Sequence, residues 1–166
     1  MNYAQIRKYD VANGPGIRTT FFLTGCDRNC PNCFNTEYMD FNHGEKWDKK
    51  AEEEVISYLK LDQVEGLTVL GGEPFENPLG LLKALRNIKK EVNKPIWVYS
   101  GFVFEDLVNI AKAKEILEEI DVLVDGEFIE ELKDLKLRFR GSSNQRIIDV
   151  KKSLESKKVI LLNGYK

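Results

Sequence analysis

Apolar and β-branched residues fall in short runs bounded by Gly, Asn and Asp: IRTTFFLT at 17–24, GLTVLG at 66–71, PIWVYS at 95–100, IDVLVDG at 120–126, RIIDV at 146–150 and KVILL at 158–162. Runs of this length and composition predict buried strands. Between the early ones, apolar residues recur at helical spacing: Val55, Ile56 and Leu59; Leu82, Leu85, Ile88 and Val92; Leu107, Ile110, Ile116, Leu117 and Ile120. Strand and helix thus alternate through about the first 125 residues. Parallel neighbours need long crossover connections, so this alternation predicts an α/β fold with about six mostly parallel strands. Beyond residue 126 the pattern does not set the order. There is no internal repeat and no low-complexity linker.

The unusual residues sit where these predicted strands end. All three cysteines, Cys26, Cys30 and Cys33, lie in the loop TGCDRNCPNCFN after the first predicted strand; GGEP (71–74) ends the second, SG (100–101) the third and DG (125–126) the fourth. The C-terminal ends of parallel strands share one edge, where α/β proteins place their ligands. Gly and Asp also mark ordinary turns, which is the competing reading of DG.

Composition bounds the setting. With 166 residues, 42% of them hydrophobic, the chain is expected to fold as a single domain spanning 1–166. The N-terminal MNYAQIRKYD has no apolar signal core, and no apolar run reaches the roughly 18 residues of a membrane span. A cytoplasmic protein with no membrane contact is expected. Net charge is −2 and the lysine pairs are scattered among acids, so no nucleic-acid-binding stripe is expected. Three cysteines within eight residues make a poor disulfide framework, since one thiol stays unpaired and the rings would be small. Reduced metal ligands fit better.

Two kinds of metal site suit clustered thiolates. A structural zinc needs a fourth protein ligand, for which the single histidine, His43, stands ten residues past Cys33. A [4Fe–4S] cluster takes four cysteines in its usual form, so three would leave one iron open to a small molecule. The first reading gives a non-catalytic zinc-binding interaction module; the second gives a reactive site beside a pocket.

The spacing C-x3-C-x2-C, as CDRNCPNC, resembles the cluster loop of the radical S-adenosylmethionine superfamily. GGEP resembles that superfamily's stretch for the methionyl ammonium: Gly71 and Gly72 permit close backbone approach, and Glu73 is an acceptor for a cation. Over nearly the whole chain, NGPGIRTTFFLTGCDRNCPNCFN, VLGGEPF, WVYSGFVFEDL, DVLVDGEF and RGSSNQRIIDV are similar to the activating enzymes of anaerobic (class III) ribonucleotide reductase. The activases of pyruvate formate-lyase share GPGIR, the cysteines and GGEP but are longer, and RGSSNQR (140–146) discriminates against them.

The resemblance implies a partial, open (β/α) barrel of the radical-SAM type. It implies one [4Fe–4S] cluster on Cys26, Cys30 and Cys33, and S-adenosyl-L-methionine bound near Gly71, Gly72, Glu73, Ser100 and Asp125. Many superfamily members carry an aromatic residue before the third cysteine, against the adenine; Asn32 stands there in this chain, with Phe34 just beyond, so either Phe34 or the backbone around Asn32 takes that contact. The implied reaction generates a glycyl radical on the reductase subunit through a 5′-deoxyadenosyl radical, with electrons from a flavodoxin or ferredoxin. The resemblance also places the GPG loop (14–16) at the partner protein, although a plain turn into the first strand explains it equally. Arg140, Asn144 and Arg146 suit either a carboxylate clamp, a partner loop or hydrogen bonds within their own loop.

Overall fold

The computed structural model describes residues 1–165 except Asn29, Asn32, Phe34 and Asn35. Its strands are β1 (Asn2–Asp10), β2 (Arg18–Leu23), β3 (Glu45–Lys46), β4 (Gly66–Gly71), β5 (Ile96–Tyr99), β6 (Val122–Asp125) and β7 (Arg146–Asp149). The helices are α1 (Lys49–Leu59), α2 (Pro78–Glu91), α3 (Phe104–Leu107), α4 (Ala111–Leu117) and α5 (Val150–Ser156). One open sheet forms in the order β3-β1-β2-β4-β5-β6-β7. The middle strands β2, β4, β5 and β6 are parallel, flanked by antiparallel β1 and β3 on one side and antiparallel β7 on the other.

All six residues of β2 are buried, its polar half Arg18–Thr20 included, because a central strand is covered on both faces. On one face, Phe21, Leu23, Leu67, Val69, Val98 and Leu123 join the apolar stripes of α1, α2 and α4, including Val55, Leu59, Leu85, Ile88 and Ile116. Asp48 opens α1 by accepting from Ala51 N, and Pro78 opens α2 where no amide donor is needed. On the other face, alternate residues Trp97, Val122, Val124 and Ile147 pack with Phe139, Leu162 and Tyr165 from the later chain.

A buried arginine fixes the lower end of the sheet. Arg18 donates from Nε to Thr68 Oγ1 (2.9 Å), and from its terminal nitrogens to the carbonyls of Leu67 (3.0 Å), Pro95 (3.0 Å) and Pro15 (3.2 Å), with its guanidinium over the Trp97 ring. β2 and β4 then run in register from Arg18 opposite Gly66 to Leu23 opposite Gly71. They leave the sheet at one level, and this aligns the cysteine loop with the Gly71–Pro74 stretch.

The structure corrects the sequence pattern in four places. The described residues form seven strands, not about six, because β1 and β3 are too polar to read as strands; β1 is only half-buried and is recruited by backbone pairing to β2. The cysteine loop therefore follows the second strand. KVILL at 158–162 is not a strand: a single bridge joins Leu161 to Ile148, and Leu161 is 56% exposed. The helical spacing over 107–120 is split into α3 and α4, with Asn109 folding back onto the Glu105 carbonyl between them. Among the described residues no helix is long and apolar enough to cross a membrane.

Candidate functional site

The chain leaves β2 through Thr24, whose hydroxyl donates to the His43 carbonyl (2.9 Å). Gly25 N then donates to Tyr38 O (2.7 Å) and Cys26 N to Met39 O (3.0 Å), which ties the start of the cysteine loop to the turn Thr36–Met39. Cys33 N donates to Cys30 O (3.2 Å) and folds the loop back. The three thiols are unpaired and half-buried. They line one cavity of about 130 Å³ together with Arg28, Leu70, Gly71, Gly72, Glu73, Tyr99, Ser100, Gly101, Gly126, Phe128 and Gln145.

Burial pushes the Cys26 and Cys30 thiols up, with the carboxylates of Glu73 and Glu127 respectively adding to it. Isolated thiolates are therefore disfavoured here unless a cation accompanies them. Among the described residues no three His, Cys, Asp or Glu side chains converge tightly enough for one metal ion. The three thiols line one cavity, and three thiolates can hold an iron–sulfur cluster with one iron left open. His43 is exposed, lies against the Tyr38 ring and is not part of the cavity lining.

The second wall is built by glycines and one buried acid. Gly71 has φ +134°, and a side chain there would strike the Leu23 backbone. At Gly72 a Cβ would stand 2.6 Å from the Tyr38 carbonyl oxygen and 2.7 Å from that of Gly25. Both obstacles are backbone, and both belong to the ties that shape the cysteine loop. Gly72→Ala is expected to cost about 1–3 kcal/mol of stability and to reduce iron loading, as read by urea denaturation and iron analysis.

Glu73, 1% exposed, accepts from Phe75 N (2.9 Å), Gly101 N (2.6 Å) and the Ser100 hydroxyl, which lies 3.1 Å from both carboxylate oxygens. It therefore links the ends of β4 and β5, with its acceptor positions engaged by its own chain. Ser100 Oγ also accepts from Phe102 N (3.0 Å). Burial raises Glu73 to about 7, against the opposing pull of these hydrogen bonds and of the Arg28 charge. A carboxyl raised in the folded state contributes stability in full below its unfolded value near 4.5 and loses it as pH rises to about 7. The metal-free protein is expected to lose about 3 kcal/mol relative to Glu73→Gln across that window, with little further change above it. Urea denaturation of both proteins from pH 4 to 8 measures this.

Two larger cavities flank the cysteine cavity and share its walls. One, of about 470 Å³, is lined by Arg28, Phe102, Glu105, Asp125, Glu127, Asn144 and Arg146 among others. The other, of about 510 Å³, lies between Ala12 and Asn13 on one side and residues of the 128–145 stretch on the other. Asp125 is fully buried; it accepts from Phe104 N (2.8 Å) and from Arg146 Nε (3.0 Å) and a terminal nitrogen (2.6 Å). Arg146 forks onto Glu105 as well (2.6 and 3.2 Å). Asp125 thus binds α3 and β7 to β6 at the edge of the 470 Å³ cavity.

RGSSNQR largely bonds to its own surroundings. Arg140 donates to Gln145 O, Asn144 to Glu127 O, and Gln145 both accepts from the amides of Gly141 and Ser142 and donates to Gly126 O. The structure therefore gathers Cys26, Cys30, Cys33, Gly71, Gly72, Glu73 and Ser100 on one cavity, with Asp125 next door; Asn32 and Phe34 lie outside the described residues. Sequence reasoning passed over Arg28, Tyr99, Phe128 and Gln145. Arg28 lies inside the cysteine motif and Tyr99 directly precedes Ser100, so their positions were the available signal.

Residues 12–148 match the family model described as a 4Fe-4S single cluster domain, which defines the class: an α/β protein of the single-cluster 4Fe-4S domain family. More narrowly, the chain belongs to the family of anaerobic ribonucleoside-triphosphate reductase-activating proteins. It is 39% identical over 150 residues to the protein of that name from Escherichia coli K12, covering 87% of this chain and 96% of the relative. The Haemophilus influenzae protein is 40% identical over 153 residues, 89% of this chain and 97% of its own length. The protein of bacteriophage T4 is 35% identical over 150 residues, 89% and 93% of the two chains.

Proposed function

We propose that this chain activates an anaerobic ribonucleoside-triphosphate reductase by generating a glycyl radical on it, using a [4Fe–4S] cluster and S-adenosyl-L-methionine. The observation that carries this reading is the shared cavity: three unpaired cysteines and the Gly71–Glu73 wall meet at one sheet edge, with an acidic cavity beside them. In this reading the fold is a single partial-barrel domain of the radical-SAM type, and Cys26, Cys30 and Cys33 hold the cluster. When bound, the cluster supplies one electron to the sulfonium, which releases methionine and the 5′-deoxyadenosyl radical that takes a hydrogen from a glycine Cα of the partner.

The remaining work falls to the chain. Gly71 and Gly72 let the end of β4 lie against the backbone of Leu23, Gly25 and Tyr38, where any side chain would intrude, and so hold this wall beside the cysteine loop. Glu73 holds the ends of β4 and β5 together and sets its carboxyl behind the wall that faces the ligand's ammonium. Leu70, Tyr99 and Phe128 limit water in the cavity. Asp125 and Arg146 brace the neighbouring wall, and Phe34 or the backbone at Asn32 borders the adenine. The open sheet leaves room for a protein loop as substrate, and a flavodoxin or ferredoxin supplies electrons in the cytoplasm.

The chemical half of this reading is tested without the partner. Anaerobically reconstituted, reduced protein is expected to convert S-adenosylmethionine to methionine and 5′-deoxyadenosine in equal amounts. A fully loaded cluster with no cleavage product contradicts it.

A further inference from the structure

We propose that Arg28 anchors the carboxylate of S-adenosylmethionine, a role that rests on the function proposed above. Arg28 lies within the cysteine motif and, with Gly101 and Gly126, lines both the cysteine cavity and the adjoining 470 Å³ cavity. Its guanidinium lies over the Phe102 ring at 4.7 Å. Gly101 makes that position possible, since a Cβ there would stand 2.5 Å from Arg28 Nε and 2.6 Å from Cδ.

The guanidinium is poorly matched by its own chain. Among the described residues its one ion pair is a terminal nitrogen 3.3 Å from Glu127, whose side chain is 46% exposed, while that of Arg28 is 23% exposed. Charge-assisted bonds to carboxylates are normally about 2.7–2.9 Å. Among the described residues, Nε is buried with no hydrogen-bond partner. A partly desolvated guanidinium with spare donors is costly until an acceptor arrives, and its planar fork fits a carboxylate.

Charge selects the ligand class. The described cations lining the two cavities are Arg28 and Arg146, set among Glu73, Glu105, Asp106, Asp125 and Glu127. Arg146 is committed to Asp125 and Glu105. A phosphate would meet five carboxyl groups here. A ligand with two positive centres and a single carboxylate suits the acidic walls, with Arg28 as the donor left for that carboxylate. Arg28 is thereby a binding residue beside the thiols and supplies no iron ligand.

The test compares S-adenosylmethionine with its decarboxylated analogue on reconstituted, oxidised protein, in which binding is read without turnover. Affinities of the wild type, Arg28→Ala and Arg28→Gln are measured directly for S-adenosylmethionine and by competition for the analogue, at matched iron content. Any contact between carboxylate and iron is present in all three proteins and cancels in the comparison. Both variants are expected to lose about ten- to a hundredfold in affinity for S-adenosylmethionine and less than about twofold for the analogue. Arg28→Gln keeps part of the stem over Phe102, so the test survives if the Ala variant loads iron poorly. Equal losses for both ligands, or no loss for S-adenosylmethionine, overturn the assignment of Arg28 alone. A wild type that binds neither ligand overturns the proposed function and this inference with it.

Discussion

The Cys30→Ala protein is expected to lose its iron–sulfur chromophore and at least about a hundredfold in radical yield, exceeding the roughly 10–100-fold cost of changes outside a ligand shell. Cys30 shares its cavity with Cys26 and Cys33, and with three thiols there is no spare ligand to take its place. Iron and sulfide analysis after anaerobic reconstitution gives the first readout and product yield the second. His43→Ala supplies the contrast: its side chain is exposed, lies tilted against the Tyr38 ring and is not part of the cavity lining, so iron content should be unchanged. Zinc in place of iron and sulfide in the wild type, lost in both His43→Ala and Cys30→Ala, would favour the zinc-type ligand set. Because burial raises the Cys26 and Cys30 thiols, ligation must expel protons, and cluster assembly should strengthen as pH rises.

Arg18→Met is expected to destabilise the protein by about 3 kcal/mol or more. Methionine fills much of the space of the arginine stem but removes the Arg18 donors from the carbonyls of Leu67, Pro95 and Pro15 and from the Thr68 hydroxyl, with the Pro95 carbonyl keeping Leu67 N. Burial pulls the Arg18 pKa down to about 10, so the group remains charged at neutral pH and its hydrogen bonds stay charge-assisted. For a chain of this size the loss corresponds to a fall in Tm on the order of 10 °C. Thermal denaturation of the metal-free protein checks this. A Tm within about 2 °C of wild type would mean that the carbonyls find other donors. Since Arg18 also sets the register that brings Leu23 opposite Gly71, iron loading should fall with stability.

The parts of the fold legible in the sequence are those in which burial dictates composition. β2, β4, β5, β6 and β7 read clearly because their faces are covered by helices or by the aromatic layer around Trp97. β1 did not, since a half-buried strand with Gln5, Arg7 and Lys8 is held by backbone pairing to β2, and side-chain pattern carries no record of that. KVILL misled in the opposite sense. Its composition is that of a strand, yet Leu162 serves as cover for the sheet face while Leu161 is turned outward. The break between α3 and α4 was hidden because Leu107, Ile110 and Leu117 keep helical spacing, of three and then seven residues, across it.

At the candidate site, the cysteines and Gly71–Glu73 were legible from spacing and from the rule that parallel strand ends share an edge. The commitments of individual polar groups were not. Glu73 reads in sequence as a free acceptor, but folding places Phe75 N, Gly101 N and Ser100 around it. Asp125 reads as a ligand contact or a turn cap, and folding gives it Arg146 from the antiparallel β7. Arg28 and Gln145 reach the cavity only because loops far apart in the chain close over it. Tertiary packing decides such placements, and local pattern does not encode them.

The most direct test of the central claim is EPR of a reductase subunit after anaerobic incubation with the reduced, reconstituted protein and S-adenosylmethionine. A glycyl-radical signal on the reductase, accompanied by 5′-deoxyadenosine and absent with Cys30→Ala, is the predicted result. Deoxyadenosine formed with no radical on the reductase would contradict the assignment of its partner, and a loaded cluster giving neither would contradict the activating function itself.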